Sequence, residues 1–237
     1  MSRDLPRWFF DEGAHAGAEH LDSAYAAGYE AKSQTDPEAD IRLLSGLGMG
    51  SDSTIVDLGA GTGAFALAVA PRCRKVIAVD VSAAMLDQLR RRLDATGPQN
   101  IEVVRAGFLS YEHAAPPADF VYSRNALHHL PDFWKALALQ RVCQMLRAEG
   151  IFFLRDIIYS FDPADAPSVI EDFLAGAPVD PTRGFTRADW EAHLRDEYSA
   201  YSWILEAMFE RIGFEILDRE FSQSRVFAAY TLARRRV

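Results

Sequence analysis

A glycine-rich turn between an apolar segment and a short helix constrains this chain more than any other feature. Residues Thr54 to Leu58 form an apolar, β-branched run, which predicts a buried strand. Gly59, Gly61 and Gly63 follow with G-x-G-x-G spacing, and glycine lets a backbone turn sharply and approach a ligand closely. The helix predicted after this turn would direct its free N–H groups at a polar part of that ligand. The segment therefore predicts a strand, a turn and a helix around a binding site.

A second apolar run, from Val76 to Val79, ends at Asp80 and predicts a second strand with an acid at its tip. A carboxylate in that position can accept hydrogen bonds from both hydroxyl groups of a ribose lying across the two strand ends. We therefore expect a nucleoside pocket that takes an unmodified ribose.

The turn does not have the form of a dinucleotide site. Such a site uses G-x-G-x-x-G spacing, so that a pyrophosphate can lie on the helix N-terminus. Here Asp57 also precedes the turn, and its carboxylate would repel a pyrophosphate but suit a ligand that carries an ammonium group. A nicotinamide-dependent oxidoreductase would need the G-x-G-x-x-G spacing that is missing here. We therefore rank it behind the two functions described below.

The run from Asp57 to Gly63, with Asp80 after the next strand, resembles motif I and the ribose-binding acid of the class I S-adenosylmethionine-dependent methyltransferases. The resemblance implies an α/β, Rossmann-like fold with a mainly parallel seven-stranded sheet whose last strand is antiparallel. It also implies methyl transfer from the cofactor S-adenosyl-L-methionine. In this part of the chain, the residues expected to bind the cofactor are Asp57, Gly59, Ala60, Gly61 and Asp80.

The resemblance also implies an adenine slot, lined by Val81 and by the backbone around Met85. In the family, the next strand is followed by a small residue and an aspartate that accepts a hydrogen bond from the adenine amino group. This chain has Gly107 and Phe108 there, after Ala106. Phe108 can stack on or wall the adenine, but it cannot accept the amino hydrogens. We therefore expect adenine recognition to depend more on shape or on backbone groups.

The segment from Arg124 to Pro131 is similar to the family segment after strand four, which ends in Leu-His-His-Leu. By this resemblance, the backbone of Asn125 lies beside the methionine part of the cofactor. Downstream, a strand at Ile151 to Leu154, a helix from Tyr201 to Arg211 and two final strands match the closing part of the same fold.

Composition agrees with one ordinary globular domain, since 49% of the 237 residues are hydrophobic and 25% are charged. The net charge of -9 argues against nucleic acid as a partner. No apolar stretch or signal-peptide region predicts a membrane association, and we expect a cytoplasmic protein. Cys73 and Cys143 have no metal-ligand spacing, so no metal site is expected.

Two segments outside the core would select the substrate. Residues 1–50 are predicted to form a helical lid, on which Tyr25 and Tyr29 share one helix face and Tyr29 contacts the cofactor. The alternative is that this helix only anchors itself to the core. Residues 51–237 form the methyltransferase domain, with a helical cap insert at about 157–199. Thr186 and Asp189 predict a helix start in that insert. Candidates to face a substrate are Asp196, Glu197, Tyr198, Tyr201 and Trp203.

Methyl transfer needs little side-chain chemistry beyond alignment and water exclusion, but a hydroxyl or ammonium acceptor must lose a proton. His129, at the end of strand four, is a candidate base, although the histidine doublet can instead fix its loop. Asp156, just beyond the predicted strand five, is a second candidate for base or substrate anchor, and it can instead cap the next turn.

The acceptor is expected to be a small molecule. The chain lacks the Asn/Asp-Pro-Pro-Tyr segment of amide and adenine-amine methyltransferases, and it lacks the Pro-Cys pair used on pyrimidine rings. A protein that binds S-adenosylmethionine, or an analogue, without methyl transfer is the alternative. The sequence leaves the acceptor atom and the oligomeric state open.

Overall fold

The computed structural model describes residues 6–17, 22–33 and 36–236. From residue 54 to residue 159 an α-helix lies between successive strands, except between the strands at Ile101–Arg105 and Ala118–Arg124. The helices are α1 (Ser23–Ser33), α2 (Glu38–Gly46), α3 (Ala64–Val69), α4 (Ala83–Thr96), α5 (Asp132–Met145), α6 (Ala166–Ala175), α7 (Arg187–Asp196) and α8 (Ser202–Ile212). The strands are β1 (Thr54–Leu58), β2 (Lys75–Asp80), β3 (Ile101–Arg105), β4 (Ala118–Arg124), β5 (Leu146–Tyr159), β6 (Ala200–Tyr201), β7 (Phe214–Phe221) and β8 (Phe227–Arg234).

The strands form one sheet in the order β3-β2-β1-β4-β5-β8-β7, with the two-residue β6 paired to β5. Strands β1 to β5 pair in parallel, and β8 is antiparallel to both of its neighbours. This confirms the predicted Rossmann-like sheet with an antiparallel last strand. The chain leaves β1 toward β2 on one side and returns to pair β4 on the other, which creates the crevice where open α/β sheets bind ligands.

Helices cover both faces of the sheet. Along β1, Val56 and Leu58 belong to one buried cluster, which includes side chains of α5 and α8. Ile55, next to Val56 in sequence, belongs to a second cluster with side chains of α2, α3 and α4. Successive side chains of a strand point to opposite faces, so a strand buried on both sides is largely apolar. The central parallel strands therefore hold the glycine turn and Asp80 on a rigid base.

Strand β5 is longer than the sequence predicts. Ile151 to Leu154 are within it as expected, but pairing with β8 continues through Asp156, opposite Ala228, and Ile157. Asp156 therefore lies inside a strand and is buried, whereas the sequence predicts it just beyond the strand end.

The predicted cap insert contains α6 and α7. Its apolar side chains pack on the end of β5 in a small cluster around Phe161, Val169 and Val226. Thr186 begins α7 through a capping box with Asp189, as predicted. Among the described residues, no helix combines the length and the apolar character that a membrane crossing requires.

The N-terminal helix α1 contacts the insert. Lys32 forms an ion pair with Asp189 at 3.1 Å, and its ammonium group lies 4.9 Å from the centre of the Phe185 ring. Two segments predicted separately, a lid and a cap, thus meet above the carboxyl edge of the sheet. Part of the predicted lid, residues 1–5, 18–21 and 34–35, lies outside the described residues, and the domain division stays a prediction.

Candidate functional site

The glycine turn has the backbone conformation that its sequence predicts. Gly59 and Gly61 have φ angles of 77° and 54°, in the left-handed region that glycine tolerates best. A side chain on Gly59 would also overlap the β-carbon of Ala126. Gly61 instead faces open space, since a β-carbon added there would meet no atom within 4 Å. The turn therefore brings bare backbone to the edge of a cavity.

Asp80, at the end of β2, is tied to this turn. Its Oδ2 accepts a hydrogen bond from the N–H of Gly61 at 2.8 Å, and its Oδ1 accepts one from the N–H of Ser82 at 2.8 Å. Burial raises the pKa of the carboxyl group, although these N–H donors oppose the shift. Each oxygen has a second lone pair, so the carboxylate can still accept hydrogen bonds from a ligand.

A main cleft of about 710 Å³, counted to its open mouth, lies over the turn and Asp80. Asp80 and Val81 form one wall, and Met85 lies in the first turn of α4, whose N-cap is Ser82. The predicted site residues that line this cleft are Tyr29, Gly59, Gly61, Asp80, Val81, Met85, Gly107, Phe108, Asn125 and His129. The structure therefore gathers most of the predicted cofactor residues in one cavity.

Asp57 and Ala60 line an adjoining side cleft of about 480 Å³, on the other side of the turn. Within the described part of the chain, two atoms of residues at this cleft are buried without a hydrogen-bond partner: Oδ2 of Asp57 and Nε of Arg124. Burial, followed by the nearby charge of Asp80, raises the pKa of Asp57 to about 8. The side cleft thus offers one unsatisfied acceptor and one unsatisfied donor, a pattern that suits a ligand with groups of both kinds.

Glu12 is a site residue that sequence reasoning missed. Its Oε2 accepts hydrogen bonds from the N–H of Leu109 and the hydroxyl of Ser110, both at 3.0 Å. Burial raises the pKa of this carboxyl group, although the hydrogen bonds oppose the shift. The group lines the main cleft beside Gly107 and Phe108, where the family's adenine-binding acid is missing. Glu12 is far away in the chain, so no local pattern indicates it.

Phe108 is buried in the core cluster on the α5 face and also lines the main cleft. Its carbonyl oxygen accepts a hydrogen bond from Nε of Arg141 at 3.2 Å. The residue therefore works as a fixed wall of the cavity.

An outer chamber of about 1530 Å³, counted to its open mouth, lies between α1 and the insert helix α7. Tyr29 and Asn125 line this chamber and both clefts, so the three cavities meet at these two residues. Asn125 has a left-handed φ of 51°, and its N–H donates to the carbonyl of Arg155 at 2.9 Å.

The residues predicted to face a substrate divide into two groups. Asp196 and Glu197 line the outer chamber. Tyr201 instead packs in the insert cluster, and Tyr198 and Trp203 are exposed. The two acids therefore remain candidates for contact with an acceptor, and the three aromatic residues do not line the chamber.

The geometry does not support Asp156 as a base or substrate anchor. Its Oδ2 accepts hydrogen bonds from the backbone N–H groups of Leu127 and His128, and its Oδ1 accepts one from Ile157. Oδ1 also lies 2.5 Å from Nδ1 of His128. The carboxylate is buried and lines none of the three cavities, because β5 runs past it. Its observed part is to hold the turn after β4 and to orient His128.

The two histidines of the doublet have different surroundings. His128 is buried, and burial alone would lower its pKa, but the carboxylates of Asp156 and Glu197 outweigh that effect and raise it to about 9. His129 lines the main cleft, with its Nδ1 3.9 Å from Oε2 of Glu197. Burial opposes ionisation of Glu197, yet the imidazoles of His128 and His193 against its carboxylate hold its pKa well below the usual range.

Comparisons with known proteins agree with this geometry. Residues 55–150 match the model of a family described as methyltransferase domain. An uncharacterized methyltransferase, GK2543 of Geobacillus kaustophilus, is 26% identical over 78% of this chain and 79% of its own length. The uncharacterized methyltransferase YcgJ of Bacillus subtilis is also 26% identical, over 64% of this chain and 58% of its own length.

Solved structures show the same fold. The crystal structure of YcgJ superposes with a TM-score of 0.62 and 17% identity, and covers 84% of this chain and all of that chain. Magnesium protoporphyrin IX methyltransferase from Synechocystis, solved with bound SAH, gives a TM-score of 0.65 at 12% identity and covers 94% of this chain and all of its own. The chain thus has the Rossmann-like fold of solved methyltransferase structures, and its residues 55–150 match a methyltransferase domain.

Proposed function

We propose that this protein is an S-adenosylmethionine-dependent methyltransferase that acts on a small-molecule acceptor. The observation that carries the proposal is a pair of buried atoms without hydrogen-bond partners in the side cleft, Oδ2 of Asp57 and Nε of Arg124. They lie near Asp80, the acid expected to bind the ribose hydroxyls. An α-amino acid has an ammonium donor and a carboxylate acceptor, which would satisfy both atoms. A nucleoside joined to an amino acid is the chemical description of this cofactor.

The residues present fit the remaining parts of the cofactor. Asp80 has lone pairs available for the two ribose hydroxyls. Val81, Met85 and Phe108 give the main cleft apolar walls suited to an adenine ring. Glu12 supplies a carboxylate at the position where the usual adenine-binding acid is absent. We therefore assign it the role of accepting the adenine amino hydrogens.

When bound, S-adenosylmethionine supplies an electrophilic methyl group on a positively charged sulfur. This chain's own part is to fix the cofactor and the acceptor in line and to exclude water. Tyr29 and Asn125, at the junction of the three cavities, are suited to guide the acceptor toward the cofactor. Helix α1 and the insert, joined through Lys32 and Asp189, cover this junction.

The outer chamber supports a small acceptor. It opens beside the main cleft, and acidic and aromatic side chains such as Asp189, Trp190 and Glu197 line it. The negative net charge favours a small molecule over nucleic acid. His129 lines the main cleft near the chamber, and its role as a base stays a prediction. The cytoplasmic location predicted from the sequence also stays a prediction.

A turnover assay tests the proposal. The purified chain is incubated with S-adenosylmethionine labelled on its methyl group and with a panel of small hydroxyl, amine, thiol and activated-carbon acceptors. We expect label in one acceptor class and one equivalent of S-adenosylhomocysteine for each methyl transferred. Binding of the cofactor without transfer to any acceptor would favour the alternative, a cofactor-binding protein without methyl transfer.

A further inference from the structure

Three side chains of the kinds that bind metal ions converge at the inner end of the outer chamber. They are His128, in the turn after β4, His193, on α7, and Glu197, which directly follows α7. One ligand atom from each lies within 4.8 Å of the others. Both histidines are buried, and Glu197 is 17% exposed as a side chain. Exposed acid clusters often occur without an ion, but this group is mostly buried and contains two imidazoles.

Each imidazole turns one nitrogen toward the carboxylate of Glu197. Nε2 of His128 lies 3.1 Å from Oε2 of Glu197, and Nδ1 of His193 contacts the same oxygen. Two imidazole nitrogens and a carboxylate form a ligand set that first-row transition metals accept, with other coordination positions left open.

The second nitrogen of each ring is held by a further partner. Nδ1 of His128 is 2.5 Å from Oδ1 of the buried Asp156, and Nε2 of His193 is 2.8 Å from Oγ of Ser199. Metal-binding histidines nearly always have such a partner, which fixes the tautomer and the direction of the ligating nitrogen. These partners are an observation independent of the approach of the three ligand atoms, because they bind the opposite nitrogen of each ring.

All three side chains line the outer chamber, so an ion among them would keep positions open toward the acceptor. We propose that His128, His193 and Glu197 bind one divalent first-row transition-metal ion through Nε2, Nδ1 and the carboxylate. Asp156 and Ser199 are the positioning residues of this centre. The spacing of residues along the chain predicts no metal site, because His128 is far from the other two ligands.

The proposed metal site narrows the chemical class of the methyl acceptor, and this inference rests on the proposed function. An acceptor with an oxygen or nitrogen donor would enter an open position of the ion, and a divalent ion favours transfer of a proton from such a donor to water in the open chamber. His129 lies next to this centre and lines the main cleft, so the donor would be presented toward the cofactor.

The competing arrangement is an ion network without a metal, in which a charged His128 lies between the carboxylates of Asp156 and Glu197. Both arrangements use the same side chains, but only one of them binds a divalent ion. Cobalt(II) is a suitable probe, because its visible absorption reports the number and type of its ligands.

The experiment is a titration of the chelator-stripped full chain with cobalt(II) chloride and, separately, with zinc chloride, followed by absorption and calorimetry. The variants are H193Q, E197Q and S199A, with H113Q as the matched control. His113 bonds to Tyr111 and Pro116 and is not part of the cluster.

We expect one equivalent of cobalt(II) with nitrogen and oxygen ligands in the wild type and in H113Q. S199A should bind the ion about 10–100-fold more weakly, as for loss of a second partner of a metal-binding histidine. H193Q and E197Q should bind it more weakly still. If the folded wild type binds no cobalt(II), the proposal is overturned in favour of the metal-free network. The same holds if E197Q and H193Q bind cobalt(II) as tightly as the wild type does.

Titration of S-adenosylhomocysteine into the same samples separates this inference from the proposed function. A variant that keeps its affinity for S-adenosylhomocysteine but loses cobalt(II) is folded and supports the metal site. If the wild type binds cobalt(II) at these residues but no S-adenosylhomocysteine, the metal site stands and the proposed function fails. The reverse result keeps the proposed cofactor and removes the metal.

Discussion

The carboxylate of Glu12 lies against the bare backbone of Gly107, with its Cδ only 2.6 Å from the point where a β-carbon on Gly107 would lie. Any side chain at Gly107 would therefore displace this carboxylate. The two residues join the N-terminal segment to the loop after β3 at the wall of the main cleft. The replacement of the family's acid by Ala106-Gly107-Phe108 is thus accompanied by a carboxylate from elsewhere in the chain.

Glu12 should determine the preference for adenine. The wild type should bind S-adenosylhomocysteine more tightly than its inosine analogue, in which a carbonyl oxygen replaces the amino group and would face the carboxylate. In E12Q this preference should shrink by about tenfold, since a hydrogen bond to the neutral amide oxygen contributes about 1 kcal/mol and one to a charged group about 1.5–3 kcal/mol. Calorimetric titration of both ligands measures it, with E38Q as a control because Glu38 pairs with Arg72 on the surface. An unchanged preference in E12Q would remove this role.

Gly107 should be required for ligand binding, because a side chain at this position would displace the Glu12 carboxylate. G107A should weaken S-adenosylhomocysteine binding, because the added β-carbon overlaps the Glu12 carboxylate. If Glu12 is the group affected, the double variant E12A/G107A should bind no more weakly than E12A alone. Dissociation constants for the three variants complete a double-mutant cycle. Additive losses in the double variant would mean that the two residues act independently.

Asp57 should release a proton when the cofactor binds. Its pKa is about 8 in the free protein, so at pH 7 the group is mostly protonated, and a ligand ammonium group favours the ionised form. Binding at pH 7 should therefore release up to about one proton, and affinity should rise by up to about tenfold per pH unit until pH ~8. Calorimetry in phosphate and Tris buffers at equal pH counts the protons. D57N should release none, and equal proton release in D57N would contradict the assignment.

The same group should affect stability. The folded pKa of Asp57, about 8, lies above its ordinary value of 3.8, so the unfolded state loses its proton at lower pH than the folded state does. Its contribution to the free energy of unfolding is complete below pH ~4 and falls, by at most about 1.4 kcal/mol per pH unit, as pH rises to ~8. The free energy of unfolding of D57N does not fall in this way. It should therefore increase relative to that of the wild type across this pH range. Urea titrations at pH 5, 6, 7 and 8 measure the difference, and a constant difference would count against the raised pKa.

Much of the cofactor cleft is predictable because its parts are local in the chain. Gly59, Gly61 and Asp80 occupy a turn and a strand end whose conformations follow from glycine and from short apolar runs. The order and direction of the strands follow from the same alternation and from the resemblance to a known fold. The structure brings these residues together at the main cleft, and their role in cofactor binding stays a prediction.

The remaining parts depend on contacts between distant segments. The sequence predicts Asp156 just beyond a strand, but pairing with β8 extends β5 past it and buries it against His128. The position of Glu12 beside Gly107 depends on the packing of the N-terminal segment against the loop after β3. His193 and Glu197 reach His128 only because the insert folds back over β5. Periodicity and local motifs carry no information about such approaches.

The most direct test of the central claim is a calorimetric titration of S-adenosylhomocysteine into the wild type and D80N, with thermal unfolding measured in parallel to confirm that both are folded. The account predicts one equivalent bound by the wild type. It predicts binding on the order of 100-fold weaker or worse in D80N, because two hydrogen bonds from ribose hydroxyls to a carboxylate are lost. Absence of binding by the folded wild type, or equal affinity in D80N, would contradict it.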